Sequence, residues 1–261
     1  MDYSKIPIGV ELYTVREDFE AKPADTLRRL KEIGYDGVEF FGNIYEKDPI
    51  FLKELLCENE LDCYGILTGW KDLQPENIGR TLEFNRKLGN SSIAVGSLSK
   101  AQTKDKASLY ECISYFNRLL EELTAEGFSM GYHNHDTDFA LVEGKTIWDH
   151  IFENTPQEFK MVLDTGNAVA GGGDPIGIIR KYPARQEWMH IKPYSKTNYW
   201  MTGYDAMIGE DDFDWETLIR TCVEVGGTKV LTIEYGNRNR YQPFYGAYLC
   251  YTKLKDIVNN M

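Results

Sequence analysis

The stretch Gly127-Phe-Ser-Met-Gly-Tyr-His133-Asn-His135 has the length and make-up of a buried strand, and it ends in imidazoles just before a loop. Short apolar runs like this fit strands covered on both faces of a sheet. Three more runs of the same design follow: Met161-Val-Leu-Asp164, Trp188-Met-His190-Ile-Lys192 and Val230-Leu-Thr-Ile-Glu234. Each carries a ligand-type residue near its C-terminal end. One polar strand end is ordinary. Four in succession put carboxylates and imidazoles in one layer if the strands are parallel neighbours. A layer of His, Asp and Glu is a divalent-metal site in outline.

Outward from these runs the chain alternates strand and helix. Strands are expected at 6–13, 37–41, 61–67, 92–96, 128–134, 160–164, 188–192 and 229–235. Helices are expected between them and after the last: one carrying Leu27, Leu30 and Ile33, then 49–59, 75–88, 105–126, 146–153, 175–182, 214–225 and 244–258. Gly34 and Gly89 stand where helix C-caps belong. Strands separated by helices pair in parallel with right-handed crossovers. Eight such units predict an α/β protein, a closed (β/α)8 TIM barrel spanning 1–261 as a single domain. An open doubly wound sheet would carry a glycine-rich phosphate loop after its first strand. Here that strand runs into Tyr13-Thr-Val-Arg16, and Gly171-Gly-Gly173 lacks nucleotide-loop spacing.

The chain has 261 residues and a net charge of −12. An acidic surface argues against nucleic acid and anionic membranes. No apolar stretch approaches bilayer length, and the N-terminus shows no signal-peptide pattern. Five scattered cysteines, never in a CxxC pair, suit free thiols in a reducing cytoplasm.

In a parallel barrel the reacting groups sit at the C-terminal strand ends. Asp164, His190 and Glu234 form a three-ligand set there. His133 and His135 lie two apart and so share a face. Asp138 and Glu143, in the following loop, are the carboxylates from which a fourth ligand could come. Taken singly, Asp164 reads as a turn or helix cap and Glu234 as a solvated strand end. Together they weigh differently: three of four histidines fall at strand tips, and His150, in a helical pattern, reads as structural. Glu11, Tyr13, Glu39, Trp70, Asn167, Lys192, Glu210 and Arg238 are expected around the same mouth. Tyr194, Tyr199, Trp200 and Tyr204 would suit a sugar ring, a lid or a subunit contact.

Gly-Val-Glu11-Leu-Tyr-Thr-Val-Arg16, Gly34-Tyr-Asp-Gly-Val-Glu39, Tyr132-His-Asn-His135, Leu163-Asp-Thr-Gly166, His190-Ile-Lys192, Ile208-Gly-Glu210 and Ile233-Glu234 occur in order. As an ensemble they resemble the xylose-isomerase-like TIM-barrel superfamily, in its sugar phosphate isomerase/epimerase branch. The superfamily also includes inosose dehydratase and subunits of C-glycoside deglycosidases. The resemblance implies one divalent ion held by an acid, an Asp, a His and an acid, which carries over to Asp164, His190 and Glu234. Strand five departs from that pattern. His133 stands where many epimerases have their first Glu ligand, Asp138 where the His-Asn-His branch often has Glu, and Glu143 near the inosose dehydratase Glu.

The expected activity is a metal-dependent isomerase or epimerase acting on a sugar or keto-sugar, by proton abstraction beside a carbonyl to an enediolate. An elimination (lyase or dehydratase) on an oxo-sugar, inosose or 3-oxo-glycoside is the first alternative. A non-catalytic barrel subunit with a degenerate site is the second. Glu234, Glu143, His133, His135 and Lys192 are the candidates for proton transfer and oxyanion support. The ion expected is Mn2+ first, with Mg2+, Co2+, Zn2+ and Fe2+ as alternatives. The partner expected is a small carbohydrate, with a homo-oligomer or a partner subunit left open.

Overall fold

The computed structural model describes residues 2–197, 203–236 and 240–261. Eight strands form one parallel sheet: β1 (Ile8–Glu11), β2 (Gly37–Phe41), β3 (Asp62–Thr68), β4 (Ser92–Val95), β5 (Ser129–His133), β6 (Lys160–Val162), β7 (Trp188–Ile191) and β8 (Val230–Ile233). Their order is β6-β5-β4-β3-β2-β1-β8-β7. The two ends of that series meet. Asp164 and His190 form an isolated parallel bridge, and the His190 amide donates to the Leu163 carbonyl at 3.0 Å. The ring therefore closes where β6 faces β7. Thr165 fastens this seam, because its hydroxyl donates to the Lys192 carbonyl (2.8 Å) and accepts from the Lys192 amide (2.9 Å).

The barrel helices are α1 (Pro23–Ile33), α2 (Pro49–Glu58), α3 (Ile78–Leu88), α4 (Lys106–Ala125), α5 (Ile147–Glu153), α6 (Pro175–Lys181), α7 (Trp215–Thr221) and α8 (Pro243–Asn260). The main apolar core lies between sheet and helices and includes Val10, Phe40, Tyr132 and Phe116. A separate small cluster of Leu67, Ala94, Val162 and Trp188 fills the barrel interior. Alternate residues of each strand thus serve the two cores, as period two requires. Low in the interior, Gly9 and Gly37 make room for the Tyr64 ring. A Cβ on Gly37 would come within 2.6 Å of both that ring and the Asp62 carbonyl.

The eight strand–helix units stand as the sequence reading has them. The first strand is shorter, because Leu12–Val15 turn into a 3-10 helix after Glu11. Several details were not read, the short helices Arg16–Ala21 and Lys100–Thr103 among them. A short helix, Thr165–Ala170, starts directly at the tip of β6. A small hairpin pairs Leu141–Val142 with Lys145–Thr146. The helix expected to reach Val225 finishes as a π-turn over Cys222–Gly226. Among the described residues, no helix is long and apolar enough to cross a membrane.

Candidate metal centre

His133, Asp164, His190 and Glu234 converge at the C-terminal mouth of the barrel. All four are buried, and each offers one ligand atom within 4.8 Å of the others. His133 Nε2 stands 3.7 Å from Asp164 Oδ2 and 3.7 Å from Glu234 Oε2. His190 Nδ1 stands 3.0 Å from Glu234 Oε2 and 3.9 Å from Asp164 Oδ2. Ligands about 2.1 Å from a tetrahedral ion lie about 3.4 Å apart, so these edges have the size of a coordination shell. Among the described residues, His133 Nε2 and Asp164 Oδ2 are buried without a hydrogen-bond partner. Buried polar atoms are rarely left so, and a cation between them would satisfy both. The donor set fits a divalent ion.

Each ligand is positioned by its own element. Asp164 is the N-cap of the Thr165–Ala170 helix, and its Oδ1 accepts from the Asn167 amide at 2.6 Å. Its capping role and its ligand role are therefore divided between its two oxygens. Asn134, between His133 and His135 just past the end of β5, pairs its side-chain amide with both backbone groups of Asp164, at 2.8 and 3.1 Å. It thereby locks the β5 and β6 tips together. His190 Nε2 bonds a carboxyl oxygen of Glu39, whose other oxygen accepts from Trp188 Nε1 at 2.9 Å. A carboxylate behind a ligating imidazole fixes its tautomer and presents Nδ1 to the ion.

Of the cluster, His133 and Glu234 form part of the wall of a cavity of about 870 Å³, also lined by Glu11, Tyr13, His135, Asn167, Lys192 and Tyr204. That is the upper size range of small-molecule sites. A family model described as Xylose isomerase-like TIM barrel matches residues 27–247. The chain belongs to this family. Among solved structures, a sugar phosphate isomerase/epimerase from Parabacteroides distasonis superposes with a TM-score of 0.79 at 22% identity, covering 97% of this chain and 95% of that one. An L-ribulose 3-epimerase gives 0.72 at 14% identity, covering 97% and 94%. The probable 3-DHS dehydratase from Bacillus anthracis gives 0.73 at 13% identity, covering 98% and 100%. At such identities the likeness shows the fold. A comparison with curated proteins finds no match.

On this xylose isomerase-like barrel, several residues read as mouth-lining stand elsewhere. The strand-five corner of the cluster is His133, not a loop carboxylate. Asp138 is buried, but it accepts from the Tyr132 hydroxyl (2.8 Å) and the His135 amide (2.7 Å). Tyr132 belongs to the outer core, so Asp138 pins the loop there. Burial pushes its carboxyl up to about 6, against those two hydrogen bonds. Glu143 is exposed in the hairpin turn, with a positive φ of 47°, and pairs with Lys106 at 2.6 Å. Trp70 packs against Tyr115 and Phe116. Glu39 supports His190 from behind. Glu210 is bound to Arg240 at 2.5 and 3.1 Å, at the rim. Glu11, Tyr13, His135, Asn167 and Lys192 do line the cavity. Arg238, Tyr199 and Trp200 lie outside the described residues. Asn134 and Thr165 were missed. Their signal is adjacency, since each neighbours a ligand in sequence.

The electrostatics follow from burial beside opposite charges. Burial disfavours charge on Lys192, but Asp164 Oδ2 at 3.3 Å and Glu234 Oε1 at 2.7 Å hold its pKa above the ordinary lysine value. Burial works against the ionised Glu234 carboxylate, yet Lys192, His133 and His190 keep its pKa well below the usual range. Burial likewise opposes a charged His190, and Glu39 and Glu234 outweigh it. At Glu11 burial and then the charge of Glu234 act together, pushing its carboxyl well up. Among the described residues neither Glu11 oxygen has a partner. Burial and the neighbouring His133 take His135 down to about 4, so it is neutral at neutral pH.

Asp211, in the loop before α7, offers a pH test away from the cluster. Burial pushes its carboxyl up to about 7, although Phe213 N–H and Trp215 Nε1 donate to it. An unfolded Asp titrates near 3.9. Between about 4 and 7 the folded state binds the extra proton, so stability falls as pH rises through that window and the loss is complete above it. Asp211→Asn keeps an acceptor and has no proton to lose. Urea midpoints at pH 5 and pH 8 should show the variant gaining on the parent at pH 8. Equal changes in both proteins would refute the assignment.

Proposed function

We propose that the protein is a divalent-metal-dependent enzyme that isomerises or epimerises a sugar or keto-sugar by moving the proton beside its carbonyl. The observation that carries this is the four-residue cluster with two orphaned ligand atoms at a cavity of sugar-accepting size. The donor atoms are His133 Nε2, Asp164 Oδ2, His190 Nδ1 and Glu234 Oε2. With an ion bound there, a substrate carbonyl is polarised and the neighbouring C–H made more acidic.

The residues then divide the remaining work. Glu234 stays ionised and can take the proton. Lys192 holds Glu234 in place and presents positive charge where negative charge develops on the substrate oxygen. His135, neutral, hydrogen-bonds a hydroxyl or the developing oxyanion. Glu11, whose carboxyl is pushed well up by burial, is positioned as the proton donor. Tyr204 lines the mouth, its hydroxyl donating to Asn167 Oδ1 at 2.9 Å. The mixed imidazole and carboxylate donors suit Mn2+, with Mg2+, Co2+, Zn2+ and Fe2+ as the other ions to test.

One observation favours the elimination alternative. Neither strand-five carboxylate reaches the mouth, which leaves Glu234, its pKa held low, and Glu11, its pKa pushed up, as the carboxyl pair there. That pair can remove a proton and protonate a leaving group.

The test is solvent exchange. Incubating a panel of ketoses and 3-oxo-sugars with the Mn2+-loaded protein in deuterium oxide should put deuterium beside the carbonyl of at least one. Chelation should abolish that exchange. Ion at about 100 times its Kd should also stabilise the fold by about 2.7 kcal/mol, seen as a higher melting temperature. A protein that binds no divalent ion and exchanges no substrate proton would be a non-catalytic barrel.

A further inference from the structure

The outer wall of the barrel carries an aromatic face that the chemistry of the mouth does not use. Tyr245 and Tyr248 are 52% and 47% exposed on α8, with their rings stacked 6.3 Å apart. Three residues apart, they share one side of the helix. Tyr241, just before the helix, extends the row by packing edge to face on Tyr245 at 5.4 Å. The row borders a hollow of about 380 Å³ between α8 and α1, lined by Arg29, Glu32, Ile33, Phe244, Tyr245 and Tyr248. None of these six lines the mouth. The Arg29 guanidinium lies 3.4 Å from the centre of the Phe244 ring. Among the described residues it donates no hydrogen bond and makes no ion pair. Glu32, one turn on, accepts from Arg28 through Oε1, and among the described residues its Oε2 accepts no hydrogen bond.

Tyrosine and arginine are enriched where proteins meet, and an exposed aromatic row rimmed by polar groups marks an interaction site. The charges say what would cover it. A cation without a counter-ion and a half-used carboxylate stand three residues apart on one helix. A partner of either single sign would satisfy one and repel the other. A second copy resolves this, because a two-fold contact sets residue i against j and j against i. Arg29 of each copy then meets Glu32 of the other. We propose that the face formed by α1 and α8 joins two copies of this chain in an isologous dimer. The tyrosines supply the buried contact, and the two Arg29–Glu32 pairs fix its register. Since face and mouth share no lining residue, the dimer stands apart from the reading of the metal centre.

The test is sedimentation equilibrium of the full chain at about 20 µM in about 0.15 M salt. Twice the mass of one chain is expected. Tyr248→Glu should weaken the association about thirtyfold or more, the effect of losing one interface hot spot. Arg29→Glu and Glu32→Arg should each weaken it, since each sets like charges across the axis, and the double variant should restore it. That rescue is peculiar to a contact in which the two residues face each other. Circular dichroism of each variant checks the fold. If Arg29→Glu unfolds on losing its stack against Phe244, Glu32→Arg and Tyr248→Glu carry the test. A single-chain mass for the parent would overturn the dimer and leave the face to a partner of another kind. A dimer indifferent to these substitutions is formed elsewhere and overturns it too, as does a folded double variant that stays monomeric.

Discussion

Asp164→Asn should give a folded barrel that no longer retains a divalent ion. Asp164 Oδ1 caps the Thr165–Ala170 helix, and Oδ2 faces the cluster with no hydrogen-bond partner among the described residues, only the Lys192 ammonium at 3.3 Å. The asparagine oxygen can keep the cap, while its NH2 group, a donor with no lone pair to offer, replaces the ligand oxygen. The backbone bonds to Asn134 and the bridge to His190 do not involve this side chain and remain. Loss of a mere supporting partner costs metal affinity about 10–100-fold, and loss of a ligand should cost at least the upper figure. Activity should fall with the bound ion. Metal content after desalting, read beside circular dichroism, checks this. A variant that holds one equivalent of ion as tightly as the parent would show that Asp164 is only a cap. Asp164→Ala removes both functions and should add about 1 kcal/mol of instability from the lost cap.

Lys192→Met should be most damaging in the metal-free protein. The ammonium lies 2.7 Å from Glu234 and 3.3 Å from Asp164, both buried. Removing one member of a buried ion pair leaves uncompensated charge and costs about 3–5 kcal/mol. A divalent ion supplies positive charge to the same two carboxylates, so adding it should recover more stability in the variant than in the parent. Urea midpoints with chelator and with Mn2+ give the four values needed. Equal ion-induced gains in the two proteins would mean that Lys192 and the ion do not share a counter-charge role.

The barrel was legible because its signal is repeated. Eight apolar runs alternate with eight helical patterns, and parallel pairing follows from the spacing alone. The three-ligand set was legible for a related reason: Asp164, His190 and Glu234 each stand at or near the end of a run, and parallel strands bring run ends together. The strand-five corner was not. A carboxylate five residues past a strand, such as Asp138, can fold over the mouth or return behind it. The Tyr132 hydroxyl in the outer core decides that here, a partner no local pattern announces. Glu143 was drawn away by a two-residue hairpin too short to read. Glu39 has the alternation of an inward residue, which it is, but it stands one layer too deep to meet a substrate.

The place where the ring of strands shuts is also the place where two donor atoms come together, since Asp164 and His190 are partners in the final bridge. An incompletely folded molecule therefore lacks the assembled cluster, and the chemistry proposed for it waits until the ring is closed. A bound ion would in turn act as a rivet across the joint. Loosening between the sixth and seventh strands should silence the centre before the rest of the molecule comes apart.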